Sequence, residues 1–502
     1  MTTTEKPASG GGEAAVVAGR GALFIGFAKV YFMITGSGQQ WLLHRILTAA
    51  DYGAFGTVNS LISMVNNTVV QATIQSISKP TAEDASRADA VKRTGLRVQM
   101  ILGAIIALTF FLGAPALAWF ENAPGYAAYF RIASAIPLLY ALYALFVGSA
   151  NGLRLFRAQA GFDVSFSTIK TLLLVGLAFL WHVPGAFAGF AIAALIILVV
   201  AAKVMGLPRP VPPAQAFPVR QLASYVGAIV AYTALLNVQL NFDQPLLQRL
   251  AGSTHGTLAS VVAGQYSVLR LVALLPYQAL LVVTFVIFPL VSRATFTQDR
   301  EATRTYVTQT LRYALILAAG MGLALAARPT ASMAIFKPEY RVGAAALPIL
   351  VLGECCLGLM SVACAILNAA GKTRATLVMM AATVAISVGT ATVLVPGAAT
   401  GSPILVAAAL ATTTGAVLGF GVALVYVRRT LGGAPPLATL LRVGAAAAAV
   451  IAVARMVPVG TGKLLGALII GTLVVIYLGV LIVTGEFGPD DRAKFARILR
   501  RR

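Results

Sequence analysis

Apolar residues run along this chain in stretches of about 20 residues, separated by short polar connections. That is the length a helix needs to cross a bilayer. The strict alternation of a half-buried strand is missing, as are the roughly 10-residue alternating segments of an outer-membrane barrel. The pattern predicts fourteen spans, at 21–43, 53–78, 98–120, 128–150, 161–182, 185–205, 221–247, 262–290, 308–327, 342–369, 375–395, 402–426, 441–457 and 464–484. The connections are too short to hold a soluble domain. The fold class is therefore an all-α polytopic membrane protein.

Composition sharpens that reading. Of 502 residues, 59% are hydrophobic and 11% charged, and mean hydropathy is +0.86. A soluble domain carries about 25% charged residues and could not cover its surface with so few. A cytosolic enzyme, a disordered chain and a nucleic-acid-binding module are excluded. The net charge of +22 reads as the positive-inside rule. If both ends lie inside, 27 of the 38 Lys and Arg fall in the tails and inner connections, 8 in the outer connections and 3 within spans. This predicts cytoplasmic termini and needs no nucleic-acid partner. The first 20 residues lack the apolar core of a cleaved signal peptide, so the first span is expected to act as its own insertion signal. Cys355, Cys356 and Cys364 share one apolar stretch and read as buried small residues rather than a disulfide pair.

A weak internal repeat is present. Tyr52 opens the second span and Lys79 follows its end; Tyr266 and Arg293 bracket the eighth at the same separation of 27 residues. Pro137 and Pro348 sit inside the fourth and tenth spans, each running into a basic turn. Spans 1–6 and 7–12 therefore read as two related bundles, an arrangement found in transporters.

Four stretches carry a resemblance to a known family. They are Leu47…Asp51-Tyr52-Gly53…Phe55; Asn241-Phe242-Asp243; Ala263-Gly264-Gln265-Tyr266, continuing to Phe288-Pro289-Leu290-Val291-Ser292; and Ile366-Leu367-Asn368-Ala369-Ala370-Gly371-Lys372. In order and spacing the chain resembles the multidrug/oligosaccharidyl-lipid/polysaccharide (MOP) flippase superfamily, in its branch of O-antigen and exopolysaccharide flippases. The resemblance implies two pseudo-symmetric six-helix lobes around a central cavity, two extra helices and alternating access. It implies a bacterial inner-membrane location and an undecaprenyl-diphosphate-type lipid-linked oligosaccharide as cargo, with membrane lipids and the polysaccharide polymerase and export machinery as partners. On this reading residues 1–20 are a cytoplasmic tail, 21–205 an N-lobe, 206–220 a linker, 221–427 a C-lobe and 428–440 a second linker. Helices 13 and 14 fill 441–484, and 485–502 form a basic cytoplasmic tail, read as a short amphipathic helix on the inner leaflet.

A charge inside a span is costly, so each is a functional candidate. Lys29, Lys170 and Arg270 are candidate contacts for the cargo's diphosphate, since Lys supplies a point charge and Arg a bidentate fork. The alternatives are snorkelling, or structural pairing with Asp243 and Glu354. Those two carboxylates are candidates for proton or sodium coupling. Asp243 is expected near the outer end of its span, close to water. Asn59, Asn66 and Gln71 recur at near-helical spacing and suit either sugar hydroxyls or helix–helix contacts. Gln39, Gln40, Gln239 and Asn241 extend this polar lining outward. Pro276 and Pro289 are expected to kink the eighth span. His44, His182 and His255 read as surface residues rather than a metal site, and no cofactor is expected.

Three rivals stay open. A cation-coupled multidrug exporter would favour acidic cavity residues, whereas the intramembrane charges above number three basic to two acidic. A lipid II flippase would share both fold and headgroup chemistry. A membrane glycosyltransferase or polymerase would need catalytic acids on a sizeable outer loop.

Overall fold

The computed structural model describes residues 10–210, 212, 216–224, 227–281, 299–457 and 463–488. Every element among them is a helix. In chain order these are α1 (Gly10–Ile46), α2 (Ala49–Glu83), α3 (Ala88–Phe120), α4 (Tyr126–Ala133), α5 (Ala135–Gly152), α6 (Phe156–Met205), α7 (Val219–Ser224), α8 (Gly227–Asn241) and α9 (Asp243–His255). They continue as α10 (Leu258–Ala273), α11 (Leu275–Leu281), α12 (Arg300–Ala326), α13 (Pro329–Met333), α14 (Leu347–Ala369), α15 (Thr373–Leu394), α16 (Ser402–Leu431), α17 (Leu437–Met456) and α18 (Lys463–Val483). Among the described residues nine helical stretches are long and apolar enough to cross a membrane, with α4–α5 and the α6 hairpin counted once each, or ten if α10 and α11 form one bent span. The amide-rich α2 is not among them. Part of the eighth span, including Pro289 and the Phe288–Ser292 motif, and the basic tail 490–502 lie outside the described residues.

Local sequence explains the breaks. Proline lacks an N–H and its ring clashes with the carbonyl four residues back. Pro245 meets Asn241 in this way, and the chain breaks at Phe242 between α8 and α9. Pro276 has the same effect on Val272, and α10 and α11 meet at 45°, as the sequence predicts. Helix α6 holds the fifth and sixth predicted spans as a hairpin: helical geometry fails at Trp181 (φ −130°, ψ 22°) and His182 (φ 51°, ψ −132°). Gly185 then lies against the Leu177 carbonyl and Gly189 against that of Leu173, so the two arms touch backbone to backbone.

The chain divides into two units. The first comprises residues 1–47, 62–118 and 124–234; the second comprises 48–61, 119–123 and 235–502. Phe146, Phe162, Phe166, Val91 and Ile197 form the core of the first. In the second, Gly415 and Gly419 of α16 face Ser387 and Thr383 of α15. Small residues four apart let helix backbones approach closely where lipid supplies no hydrophobic drive. Helices α17 and α18 pack through Val443, Val450, Leu473 and Tyr477, whose hydroxyl donates to the Ile316 carbonyl of α12 at 2.9 Å. Glu486, just past α18, is held by Arg312 Nε at 2.6 Å, Thr439 Oγ1 at 2.7 Å and Arg442 Nη1 at 3.0 Å.

The cysteines are free, with Cys355 and Cys364 buried, and Cys355 Sγ donates to the Ala318 carbonyl. His44 departs from the surface reading: it is fully buried, with its ring edge-on to Trp41. His182 is exposed at the α6 turn, and His255 reaches the Ala398 carbonyl through Nε2 at 3.1 Å.

Candidate functional site

The first unit gathers charge along the seam of α1 and α6. Lys29 Nζ donates to Asp163 Oδ2 at 2.9 Å. The pair is asymmetric: the lysine side chain is 46% exposed and the aspartate 12%. One turn farther along, the Tyr31 and Thr168 hydroxyls meet at 2.8 Å, and Thr35 meets Ser167. Lys170 sits among the rings of Phe32, Phe190 and Phe166, with Nζ 5.1, 5.2 and 5.7 Å from their centroids. No carboxylate pairs with it among the described residues. Aromatic faces hold an ammonium by their quadrupole and leave its charge uncompensated.

The second unit builds a different cluster. Asp243 opens α9, just past the break at Phe242, and its side chain is 5% exposed. The expectation that water is close to it does not hold, because α10 covers it. Its Oδ1 accepts the Gln244 amide at 3.0 Å, and its Oδ2 accepts the Tyr266 hydroxyl at 3.0 Å. Arg270 Nε lies 3.1 Å from the same Oδ2. Tyr266 and Arg270 are four residues apart on α10, so one helical face delivers both to one carboxylate. Glu354, from α14, is buried within electrostatic reach of Arg270 and Asp243, and its Oε2 has no hydrogen-bond partner among the described residues.

Span hydropathy singles out Lys29, Lys170, Asp243, Arg270 and Glu354 as intramembrane charges but not Asp163. Asp163 lies three residues into a predicted span, where a carboxylate reads as an end charge. Counting it, the intramembrane charges number three basic and three acidic, so the overall excess of cations used against an exporter disappears. The charges instead divide by unit: Lys29, Lys170 and Asp163 in the first, Arg270, Asp243 and Glu354 in the second. The α2 amides do not act as one row. Asn66 is buried with Oδ1 unpartnered, Gln71 is exposed, and Asn59 is half-buried in the segment belonging to the second unit. Buried Gln239 also leaves both amide atoms without a partner among the described residues.

Outside the spans, the turn after α3 docks on α9. Asn122 (φ 53°) donates to the Arg249 carbonyl at 2.9 Å, and Arg249 donates back to that of Phe120 while stacking on its ring. Glu121 is fully buried there with neither carboxylate oxygen hydrogen-bonded among the described residues. Burial pushes its carboxyl up to about 8, against the pull of Arg249.

Comparison with known proteins matches this architecture. The lipid II flippase MurJ in an inward closed conformation superposes with a TM-score of 0.74 at 13% identity, covering 92% of this chain and 99% of that one. An inward-facing multidrug resistance MATE family transporter of the MOP superfamily gives 0.64 at 16% identity, covering 81% and 95%. A MOP superfamily transporter from Pyrococcus furiosus gives 0.59 at 15% identity, covering 82% and 95%. No curated protein sequence matches the chain. Residues 42–336, more than half the chain, match the family model described as "Polysaccharide biosynthesis protein". The chain therefore belongs to the polysaccharide biosynthesis protein family, and its fold is that of the MOP superfamily.

Proposed function

We propose that the protein is a flippase that moves a lipid-diphosphate-linked oligosaccharide from the cytoplasmic to the outer leaflet by alternating access, for polysaccharide export. The observation that carries this reading is the charge within the spans of the first unit: Lys29 and Lys170 against the carboxylate of Asp163, with the Lys29 ammonium half-exposed. A diphosphate cannot enter the hydrocarbon without compensating charge. An excess ammonium in that unit suits an anionic headgroup and opposes a cationic amphiphile. Lys29 and Lys170 are its phosphate contacts in the first unit and Arg270 in the second. Of Asn59, Asn66 and Gln71, exposed Gln71 is the one free to offer its side chain to the sugar. The protein is a multi-pass resident of the bacterial inner membrane with both termini cytoplasmic, and delivers cargo toward the polymerase and export machinery.

The second unit carries the coupling. Asp243 and Glu354 outnumber Arg270, so the cluster has room for one proton or sodium ion. Lipid II is the second reading of the cargo, favoured by the likeness to MurJ along 92% of the chain. Reconstitution into proteoliposomes tests both. Labelled prenyl-diphosphate oligosaccharide should cross the bilayer and a prenyl-linked sugar without phosphate should not; equal transfer of the two refutes the proposal. Lipid II and a polysaccharide repeat unit offered side by side decide the cargo.

A further inference from the structure

Asp163 has no place in the reading above beyond its charge, yet its setting is unusual. It is the buried half of an ion pair whose other half faces outward. A carboxylate that served only to neutralise Lys29 would need no further partner. Here the Tyr143 hydroxyl of α5 is buried without a hydrogen-bond partner among the described residues, and the Tyr143 ring stacks 5.8 Å from that of Phe166, one turn on from Asp163 along α6. One turn before Asp163 on α6, Gln159 Oε1 is likewise buried and unpartnered. Buried polar atoms are seldom left unpaired, and an unused hydroxyl on the helix packed against α6 offers that carboxylate a second partner.

We propose that Asp163 is a stand-in anion: it holds the Lys29 ammonium in the empty protein and yields it to the diphosphate of the cargo, turning to the Tyr143 hydroxyl as it leaves. This rests on the flippase reading and assigns a specificity-determining role to a residue that reading does not use. The exchange is a competition of anions for one ammonium. A diphosphate brings more charge and more acceptor oxygens than one carboxylate, so it displaces Asp163. A carboxylate or neutral headgroup offers no such gain and is refused. Tyr143 limits the cost of exchange, because the displaced carboxylate keeps one charge-assisted hydrogen bond. Lys29 of α1 pairs with Asp163 directly, Tyr140 and Tyr143 of α5 pack on Phe166 one turn on along α6, and Lys170 follows two turns on.

Calorimetric binding of farnesyl diphosphate to the purified full-length protein, with farnesol as control, tests this. The wild type should prefer farnesyl diphosphate. Freeing the ammonium from its competitor should make Asp163→Asn bind it about tenfold more tightly, the worth of one modest charge contact. Tyr143→Phe should weaken binding in the wild type and have no effect in Asp163→Asn, a coupling that a purely structural pair would not produce. Unchanged or weaker binding by folded Asp163→Asn overturns the inference. If that variant does not fold, Lys29→Asp with Asp163→Lys keeps the ion pair but moves the ammonium to the buried side. Loss of binding in the swap supports the inference, and wild-type binding overturns it. A wild type that does not prefer farnesyl diphosphate to farnesol fails at an earlier step and refutes the flippase reading itself.

Discussion

Gly53 of α2 and Gly264 of α10 leave no room for a side chain between their helices. A Cβ on Gly53 would collide with the Ser260 carbonyl, and one on Gly264 with that of Ala49. Two rigid backbones cannot move aside as a flexible side-chain tip can. Gly53→Ala and Gly264→Ala should each destabilise the protein by about 1–3 kcal/mol, the cost of overpacking a close contact. Gly113→Ala, inside α3 with nothing within 4 Å, should be neutral to slightly stabilising, since Ala favours the helix. Thermal unfolding in detergent measures the difference.

Arg270 is positioned by its carboxylates. Removing it by Arg270→Ala leaves Asp243 and Glu354 as two buried acids, a loss of about 3–5 kcal/mol. The double variant Arg270→Ala with Asp243→Asn should regain most of that stability but not transport. Melting temperature and proteoliposome flipping, read on the same preparation, separate the two effects.

Glu121 predicts a pH dependence. Its folded carboxyl titrates at about 8 because burial disfavours the charge, against an ordinary value of 4.5. The folded protein therefore holds a proton there that the unfolded chain releases, and stability falls as pH rises from about 4.5 to 8. Glu121→Gln should flatten that slope. Glu486 acts in the opposite sense: burial would raise its carboxyl, but hydrogen bonds from Arg312, Thr439 and Arg442 outweigh this and hold it below the usual range. Its contribution is present above pH 4.5 and is lost as the medium becomes more acid.

The distribution of Lys and Arg predicts that both termini are cytoplasmic. A reporter fused after Arg502 should be active only where it works in the cytoplasm; periplasmic activity there contradicts the assignment.

The helices were legible because lipid demands long apolar runs, and the bend at Pro276 because proline acts locally. The partners of the charges were not. Asp163 reads as an end charge until α1 is packed beside α6, and Asp243 reads as wet until Tyr266 and Arg270 cover it. Gly53 and Gly264 both fall in the motifs that carry the resemblance, yet their contact depends on the crossing of two helices 211 residues apart. His44, isolated and near a span end, gave no sign of burial. Periodicity reports which face of a helix is apolar, not which neighbour covers its polar residues.

The central claim is that positive charge at Lys29 carries the diphosphate, and the rate of lipid flipping by position-29 variants tests it most directly. In proteoliposomes, Lys29→Arg should retain partial translocation of a prenyl-diphosphate oligosaccharide. Lys29→Ala, folded to the same extent, should lose about 1.5–3 kcal/mol of headgroup stabilisation, roughly a ten- to hundredfold slower rate. Wild-type flipping by Lys29→Ala would contradict the account.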